Sequence, residues 1–292
     1  MSVLDALLQG VLLGGLYALY ATGLSLAFGV MRLVNVAHGD LIVLAGFMAV
    51  LAVNGLGLAP LASLLLVVPA MAALGYLLQR LVLVRAGGQG LPSILVTFGI
   101  AVVIENALLL AFTADPRKLP AGPIEVLSLQ LAGGIAVGVL PLLIFAIAVA
   151  VIASLQLVLY HTSFGRSVRA TADDPAVAAL MGIDTRQVMA LAFAVAMAVA
   201  GIAGVLMGLR TSFDPASGPV RLLMAFEAVI IGGMGSMWGT LAGGIVLGVA
   251  QTLSATIHPG LQQLGGHAAF LAMLAIRPQG LFPRTAVGPR GS

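Results

Sequence analysis

The sequence predicts an all-α polytopic membrane protein of about eight to nine transmembrane helices, some of them broken or re-entrant. Hydrophobic residues occupy 61% of its 292 positions, and its mean hydropathy is +1.15. Only 8% of residues are charged, against about 25% in ordinary soluble domains, too few to cover a water-facing surface. Apolar runs of about 20 residues, the length that crosses about 30 Å of hydrocarbon, recur along the whole chain. These runs are apolar on every side, which means a helix in lipid; a membrane barrel would show short alternating segments instead.

The first run covers residues 7–31 and is ended by Arg32. The second starts near Gly39 and ends at the Asn54-Gly55 turn; the third spans 60–84 and closes on Arg80, Arg85 and the Gly87-Gly88 pair. A fourth covers 94–112 and leads into a polar, proline-bearing loop over 115–123. The fifth, 135–159, is separated from the sixth, 188–209, by a long polar insert, 161–187. After a loop over 212–221 comes an apolar stretch, 222–257, too long for one ordinary span. Gly232-Gly233, Gly235 and Gly239 interrupt it, so it reads as a short half-helix followed by a full helix. The last run is 264–276, and all of them form a single transmembrane domain, 1–292. Glycines recur at intervals of four at Gly10/Gly14, Gly204/Gly208, Gly235/Gly239/Gly243 and Gly244/Gly248. Such small residues let helix backbones approach closely in lipid, and tight bundle packing is their expected role.

Arginine placement sets the orientation. Arg32 lies between the first two runs, Arg80 and Arg85 after the third, and Arg166, Arg169 and Arg186 in the insert. Arg277, Arg284 and Arg290 end the chain. The connection between the second and third runs carries no charge, and that between the fourth and fifth balances Arg117 and Lys118 against Asp115 and Glu125. Odd-numbered loops are therefore cytoplasmic and the N-terminus is outside. A cytoplasmic tail then needs an odd number of crossings, which the half-helix or an extra crossing in 222–257 would supply. Residues 1–8 lack Lys and Arg, so the first run is expected to be retained rather than cleaved as a signal peptide.

Composition also excludes several chemistries. There are no cysteines, hence no disulfides, thiolate metal sites or cysteine nucleophiles. The histidines, His38, His161, His258 and His267, include no pair at metal-ligand helical spacing, so no metal site is expected. The net charge of +3 rests on arginines scattered between apolar stretches, a pattern of topology rather than of nucleic-acid binding. The one lysine, Lys118, sits in "DPRKLP", not in the glycine-rich turn that a P-loop needs to reach phosphates. The chain therefore cannot hydrolyse ATP as P-loop proteins do. Neither G-x-S-x-G nor H-E-x-x-H occurs, so an intramembrane hydrolase has no visible nucleophile and base, and no catalytic residue is assigned.

The insert 161–187 has a clear local grammar. Asp174 is a helix N-cap, Pro175 fits the first helical position, and 176–181 make about two turns before Gly182 supplies a stop. Asp184 then caps the next helix. A merely solvated loop would not need two successive caps, so the pattern favours a short cytoplasmic helix that docks on a soluble partner. Ala178, Leu180 and Met181 offer it a small apolar surface, with Arg166 and Arg169 able to reach acidic groups around it.

The Asn35–Asp40 region joins two apolar runs through Asn35, His38, Gly39 and Asp40. A helix broken there would expose backbone groups of the kind that line substrate sites in transporters. Gly235 and Gly239 mark a second break in the other half of the chain, which points to a pathway between the two. His38 could equally close a loop at the cytoplasmic interface. Glu105 and Glu227 lie inside predicted spans. Each costs on the order of 3 kcal/mol if it faces lipid, so each should face the bundle, pair, or be protonated.

Four stretches, in order, carry a resemblance. "SFGRSVRATADDPAVAALMGIDTRQVMALAF" resembles the cytoplasmic coupling loop of branched-chain amino-acid ABC transporter permeases, a family that includes urea and amide permeases. "GLYALYATGLSLAFGVMRLVNVAHGDLIVLAGF" resembles that family's first two segments, with Asn35, Ala37, His38 and Gly39 on an N-x-A-H-G signature. "AFEAVIIGGMGSMWGTLAGGIVLGV" and "IRPQGLFP" resemble its glycine-rich penultimate region and its C-terminal signature. The resemblance implies a non-enzymatic permease of a bacterial inner-membrane importer with no cofactor of its own. It implies as partners a second homologous permease, two cytoplasmic ATPase subunits and a periplasmic substrate-binding protein. Arg166, Arg169, Asp174, Pro175, Ala178 and Gly182 would then couple the chain to the ATPases. The chain departs from the family in carrying Glu105 and Glu227, and in showing the glutamate-alanine-alanine loop signature only in reduced form around Ala178, Ala179 and Gly182. The rival reading is a proton-coupled secondary transporter of a small polar solute working through Glu105 or Glu227, which leaves the capped insert unexplained.

The arginine bias predicts that Arg85 and Arg166 face the cytoplasm and that Asn54 and Lys118 face the periplasm. The cysteine-free chain allows single-cysteine labelling without background. Impermeant reagent on intact cells should label cysteines at 54 and 118 and spare those at 85 and 166; labelling at 166 contradicts the orientation.

Overall fold

The structure, a computed structural model, describes residues 3–86, 90–130 and 136–282. The Gly87-Gly88 pair, Ile135, Pro283 of the C-terminal signature, Arg284 and Arg290 fall outside the described residues. The helices are α1 (Val3–Met31), α2 (His38–Leu56), α3 (Leu64–Leu77), α4 (Leu91–Phe112), α5 (Val139–His161), α6 (Ser163–Asp173), α7 (Pro175–Leu180), α8 (Thr185–Arg210), α9 (Gly218–Gly232), α10 (Met237–Ile257) and α11 (Gln262–Ile276). Eight described helical segments are long and apolar enough to cross a membrane, α3 only with the turns that continue it to Arg85 and α9 only with the turn before it. Alone, its 15 residues span about 22 Å, short of the about 30 Å of hydrocarbon. The half-helix expected in 222–257 is therefore present, but it begins at Gly218, inside what reads as a loop from sequence.

Burial sorts the helices into a centre and a rim. In α1, 83% of the apolar window is buried, and in α8 72%, against 17% for α4 and 22% for α5. Helices α1 and α8 form the axis, with α2, α9 and α10 around them and α4 and α5 turned outward. Small residues allow the central packing. An added Cβ on Gly14 would stand 2.5 Å from the Ile245 Cα, and one on Gly244 2.5 Å from the Gly14 carbonyl. Lipid is as apolar as a leucine side chain, so close van der Waals contact takes the place of hydrophobic drive between these helices.

Two breaks bend the chain back into the bundle. Arg32, at the end of α1, has φ 51°, the left-handed backbone that turns a chain sharply. Residues 32–37 then run back along α1 until α2 starts at His38. His38 bonds to the carbonyl of Tyr20, eleven residues before the end of α1, so α2 begins about 16 Å inside that end. After α8, Phe213 exchanges backbone hydrogen bonds with Arg117 of the α4–α5 connection. Asp214 caps a turn over Pro215–Ser217, and α9 starts directly against α2: a Cβ on Gly39 would stand 2.0 Å from the Gly218 carbonyl.

Some local structure departs from the sequence reading. Helix α6, carrying Arg166 and Arg169, precedes the one short helix that the sequence reading assigns to the insert; Thr162 caps it by accepting from the Gly165 N–H at 3.0 Å. A hairpin of β1 (Ser128–Gln130) and β2 (Ala136–Gly138) precedes α5, with Leu129 opposite Val137. Helix α3 continues through a π turn, Leu78–Val82, into a 3-10 turn, Leu83–Ala86. There Arg80 stacks on Tyr76 and bonds to Gln187 of α8 at 3.2 Å.

Gly14→Ala and Gly39→Ala should each lower the melting temperature of the purified protein, because the added methyl meets backbone that cannot withdraw. The expected cost is about 1–3 kcal/mol. Gly99 has nothing within 4 Å of its Cβ position, so Gly99→Ala is the matched control and should not destabilise. Equal melting temperatures for all three would contradict the packing described.

Candidate functional site

The start of α2 is polar in a place where the surroundings are apolar. Asn35 and His38 are 1% and 0% exposed, and Asp40 is 4% exposed. Asn35 holds the turn, its Oδ1 accepting from the Ala37 N–H at 3.1 Å. The Val36 N–H donates to Thr97 of α4 at 3.2 Å. The His38 ring donates from Nε2 to the Tyr20 carbonyl at 2.8 Å, since a carbonyl can only accept. Three side-chain atoms at this start remain buried without a hydrogen-bond partner: Asn35 Nδ2, His38 Nδ1 and Asp40 Oδ1. Buried polar atoms are ordinarily satisfied, and leaving one unmade costs about 1–3 kcal/mol.

The start of α9 meets this place from the other side. The Asp40 carboxylate lies against Gly218, where a Cβ would fall 2.0 Å from Oδ1. Two helix N-termini, each with the positive end of its dipole and its first free N–H groups, thus converge around Asn35, His38, Gly39 and Asp40. Such broken-helix ends are the elements with which transporters hold polar groups within a membrane.

A second polar layer joins the outer helices to the centre. Tyr17 donates to Gln251 Oε1 at 2.6 Å, tying α1 to α10. Glu227, 2% exposed, is bonded through Oε1 to His267 Nδ1 at 2.5 Å. The pairing left open by sequence thus goes to His267 of α11 rather than to Arg221. Glu105 is half-buried on α4, within electrostatic reach of Asp40.

The other predicted pathway residues lie elsewhere. Gly235 sits in the α9–α10 turn with φ 80°. It lines a cavity of about 440 Å³ with Ser25, Tyr160, Arg169, Trp238 and Phe282. Gly239, in the first turn of α10, packs on Gly232 instead, where its Cβ would meet the Gly232 carbonyl at 2.4 Å. The cavity opens beside the end of α1, at Ser25 and beyond, whereas His38 is at Tyr20. The structure therefore brings Asn35, His38 and Gly39 together with Gly218, and brings Gly235 together with Arg169, but does not merge the two groups.

The insert is a platform and a projection. Helix α6 packs with Gly165, Val168 and Thr171 buried, against α1, α5 and α8. Arg169 is turned inward, bonded to the Leu159 carbonyl and lying over the Tyr160 ring at 5.0 Å. It is therefore not free to reach a partner's acidic groups, whereas Arg166 is exposed. Asp174 accepts from the N–H groups of Ala176 and Val177 at 2.9 and 3.0 Å, with Pro175 at the first position of α7. Gly182, φ 82°, stops the helix, and Asp184 caps α8. Ala178 is 3% exposed and packs inward, so it offers no docking surface, contrary to expectation. The exposed apolar side chains are Val177, Leu180 and Met181, the last two at 87% and 78%.

Sequence reasoning missed Gly218, whose role depends on a contact nearly 180 positions away, and gave Gln251 no role. Gly218 has no local signal; Gln251 does, as a polar residue within an apolar helix.

A family profile described as branched-chain amino acid transport system, permease component, matches residues 6–276. The chain is 28% identical to the high-affinity branched-chain amino acid transport system permease protein BraD of Pseudomonas aeruginosa, over 97% of both chains. It is 27% identical to the permease protein LivH of Escherichia coli, over 97% of this chain and 96% of that one. A shorter likeness, 31% identity over 44% of this chain and 30% of the relative, links it to the permease protein LivM of Escherichia coli. No solved structure matches. The matched region runs from α1 to the end of α11 and contains both broken helix starts and the insert. This chain, a multi-pass membrane protein, belongs to the family of branched-chain amino acid transport system permease components.

Proposed function

We propose that the chain is the inner-membrane permease subunit of an ATP-binding-cassette importer, and that it forms the translocation pathway for branched-chain or related apolar amino acids. The observation that carries the reading is the convergence of the α2 and α9 starts, with unpartnered polar atoms at Asn35, His38 and Asp40 in a chain of this family. A zwitterionic amino acid crossing the membrane needs such buried polar groups to replace its water. Asn35, His38 and Gly39 border its path, and Gly235 borders the cavity at the other end of α1.

The chain works with a second homologous permease, a proposal supported by its likeness to both LivH and LivM, each described as a permease protein of the same transport system. Two cytoplasmic ATPases supply the energy and a periplasmic binding protein supplies the substrate. The reading assigns the chain no chemistry of its own: Lys118 stands on the α4–α5 connection, paired with Glu125, rather than in a glycine-rich phosphate loop. Force from the ATPases enters at α7, whose exposed Val177, Leu180 and Met181 insert into an apolar groove. Helix α6, seated against α1, α5 and α8, passes it to the axis of the bundle. Asp174, Pro175 and Gly182 fix the ends of α7, and Arg166 reaches the partner's surface.

Uptake of radiolabelled leucine by the assembled transporter should require ATP and the binding protein, and should survive collapse of the proton gradient. Leu180→Glu with Met181→Glu should leave the permease inserted but abolish co-purification of the ATPases and reduce uptake at least tenfold. Ala178→Glu should instead destabilise the permease itself. Gradient-driven uptake without ATP would establish the secondary-transporter reading; full ATPase binding by the double variant would remove α7 from the coupling path.

A further inference from the structure

Arg210 is the last residue of α8 and Arg221 lies in the first turn of α9, so the two flank the connection 211–217. Both are half-buried, and Arg210 Nη1 and Arg221 Nε are buried with no hydrogen-bond partner. Tyr17 and Tyr20 of α1 each lie within electrostatic reach of both arginines. Among the described residues the salt bridges are Lys118–Glu125 and His267–Glu227, so neither arginine has a carboxylate partner. Of the acids in this part of the chain, Asp214 caps the turn before α9 and Glu227 is bonded to His267, while Asp40 keeps one carboxylate oxygen without a partner and forms a salt bridge with neither arginine.

Two positive groups in this setting call for an anion. The carbonyl end of α8 favours Arg210, but Arg221 sits at the positive end of a helix, where a cation is disfavoured. An arginine buried within membrane helices marks a functional site whose partner should be identified. Guanidinium groups bind carboxylates in bidentate fashion, with strong, directional hydrogen bonds.

We propose that Arg210 and Arg221 receive the α-carboxylate of the transported amino acid, while the Tyr17 and Tyr20 rings, 6.1 Å apart, border its apolar side chain. The proposal rests on the amino-acid importer reading and specifies its site. The carboxylate is the only anionic group of such a substrate. Its recognition does not depend on side-chain shape, so branched and unbranched amino acids share it. The site runs from the connection tied to Arg117, on the outer side of the bundle in the orientation set by the arginine bias, to the α2–α9 junction, where the Leu222 N–H next to Arg221 lies against Gly39.

The test uses the assembled permease–ATPase complex in detergent, without binding protein, and two probes. L-leucine should raise its melting temperature, and L-leucinol, which keeps the side chain and ammonium but lacks the carboxylate, should not. Arg210→Gln and Arg221→Gln should each abolish the leucine effect and lower leucine uptake about tenfold or more, with ATPase co-purification and basal ATP hydrolysis retained. Arg221→Lys, which keeps the charge but not the fork, should recover uptake only in part, above Arg221→Gln and below wild type. Equal stabilisation by leucinol, no stabilisation of the wild type by leucine, or wild-type uptake in both Gln variants would overturn the carboxylate site. Loss of binding-protein docking in those variants would overturn it as well, assigning the arginines to docking. Leucine uptake by the wild type is measured alongside: if it stands while the site fails, only this inference falls, and if it is absent the amino-acid reading falls.

Discussion

The backbone contact between Gly39 and Gly218 is the constraint on which the rest of the arrangement depends. Neither position tolerates a Cβ, because each would strike atoms of the other helix at 2.0 Å. With that contact in place, two helix N-termini point into the bundle, and their free N–H groups must be satisfied there rather than by water. The polar side chains around them follow from this need. Asn35 folds back onto the Ala37 N–H, His38 reaches the Tyr20 carbonyl, and Asp40 lies at the head of α9. What they leave unsatisfied is the polar surface that the proposed pathway would offer a solute.

Two helices packed against that contact's partners, α1 and α8, also meet the insert. Helix α8 lines the axis, ends at the connection that leads into α9, and begins at the Asp184 cap just after α7. Helix α1 holds His38 near its middle and the cavity near its end. In the proposed coupling, a displacement of α6 against these two helices would act on both the cavity and the helix junction. Close packing makes that transmission possible: glycine-mediated contacts leave no compressible space between α1 and α10.

How much of this was legible in the sequence depends on the range of the interactions. The spans were visible because lipid demands long apolar runs. The start of α2 was visible because Asn35, His38 and Asp40 interrupt one of them. The caps at Asp174 and Asp184 and the stop at Gly182 are local, and each is present as read. Helix α6 went unread because its charges suggested loop, although Gly165, Val168 and Thr171 recur at helical spacing on its buried face. The burial of Ala178, the inward turn of Arg169 and the Glu227–His267 pair depend on neighbours distant in sequence, and no local pattern encodes them. The same holds for Gly218: its glycine reads as one of 37 until α2 is set against it.

Accessibility of the α2–α9 junction to water during the transport cycle tests the central claim most directly. In this cysteine-free chain, a single cysteine at position 35 can be challenged with a small, charged thiol reagent in the assembled transporter, with and without trapped nucleotide. A junction on the pathway predicts reaction in at least one of the two states, at a rate that changes between them and falls when leucine is present. A cysteine at 35 that stays inert in both states, like one in the packed face of α1, would make the junction a structural joint and contradict the account.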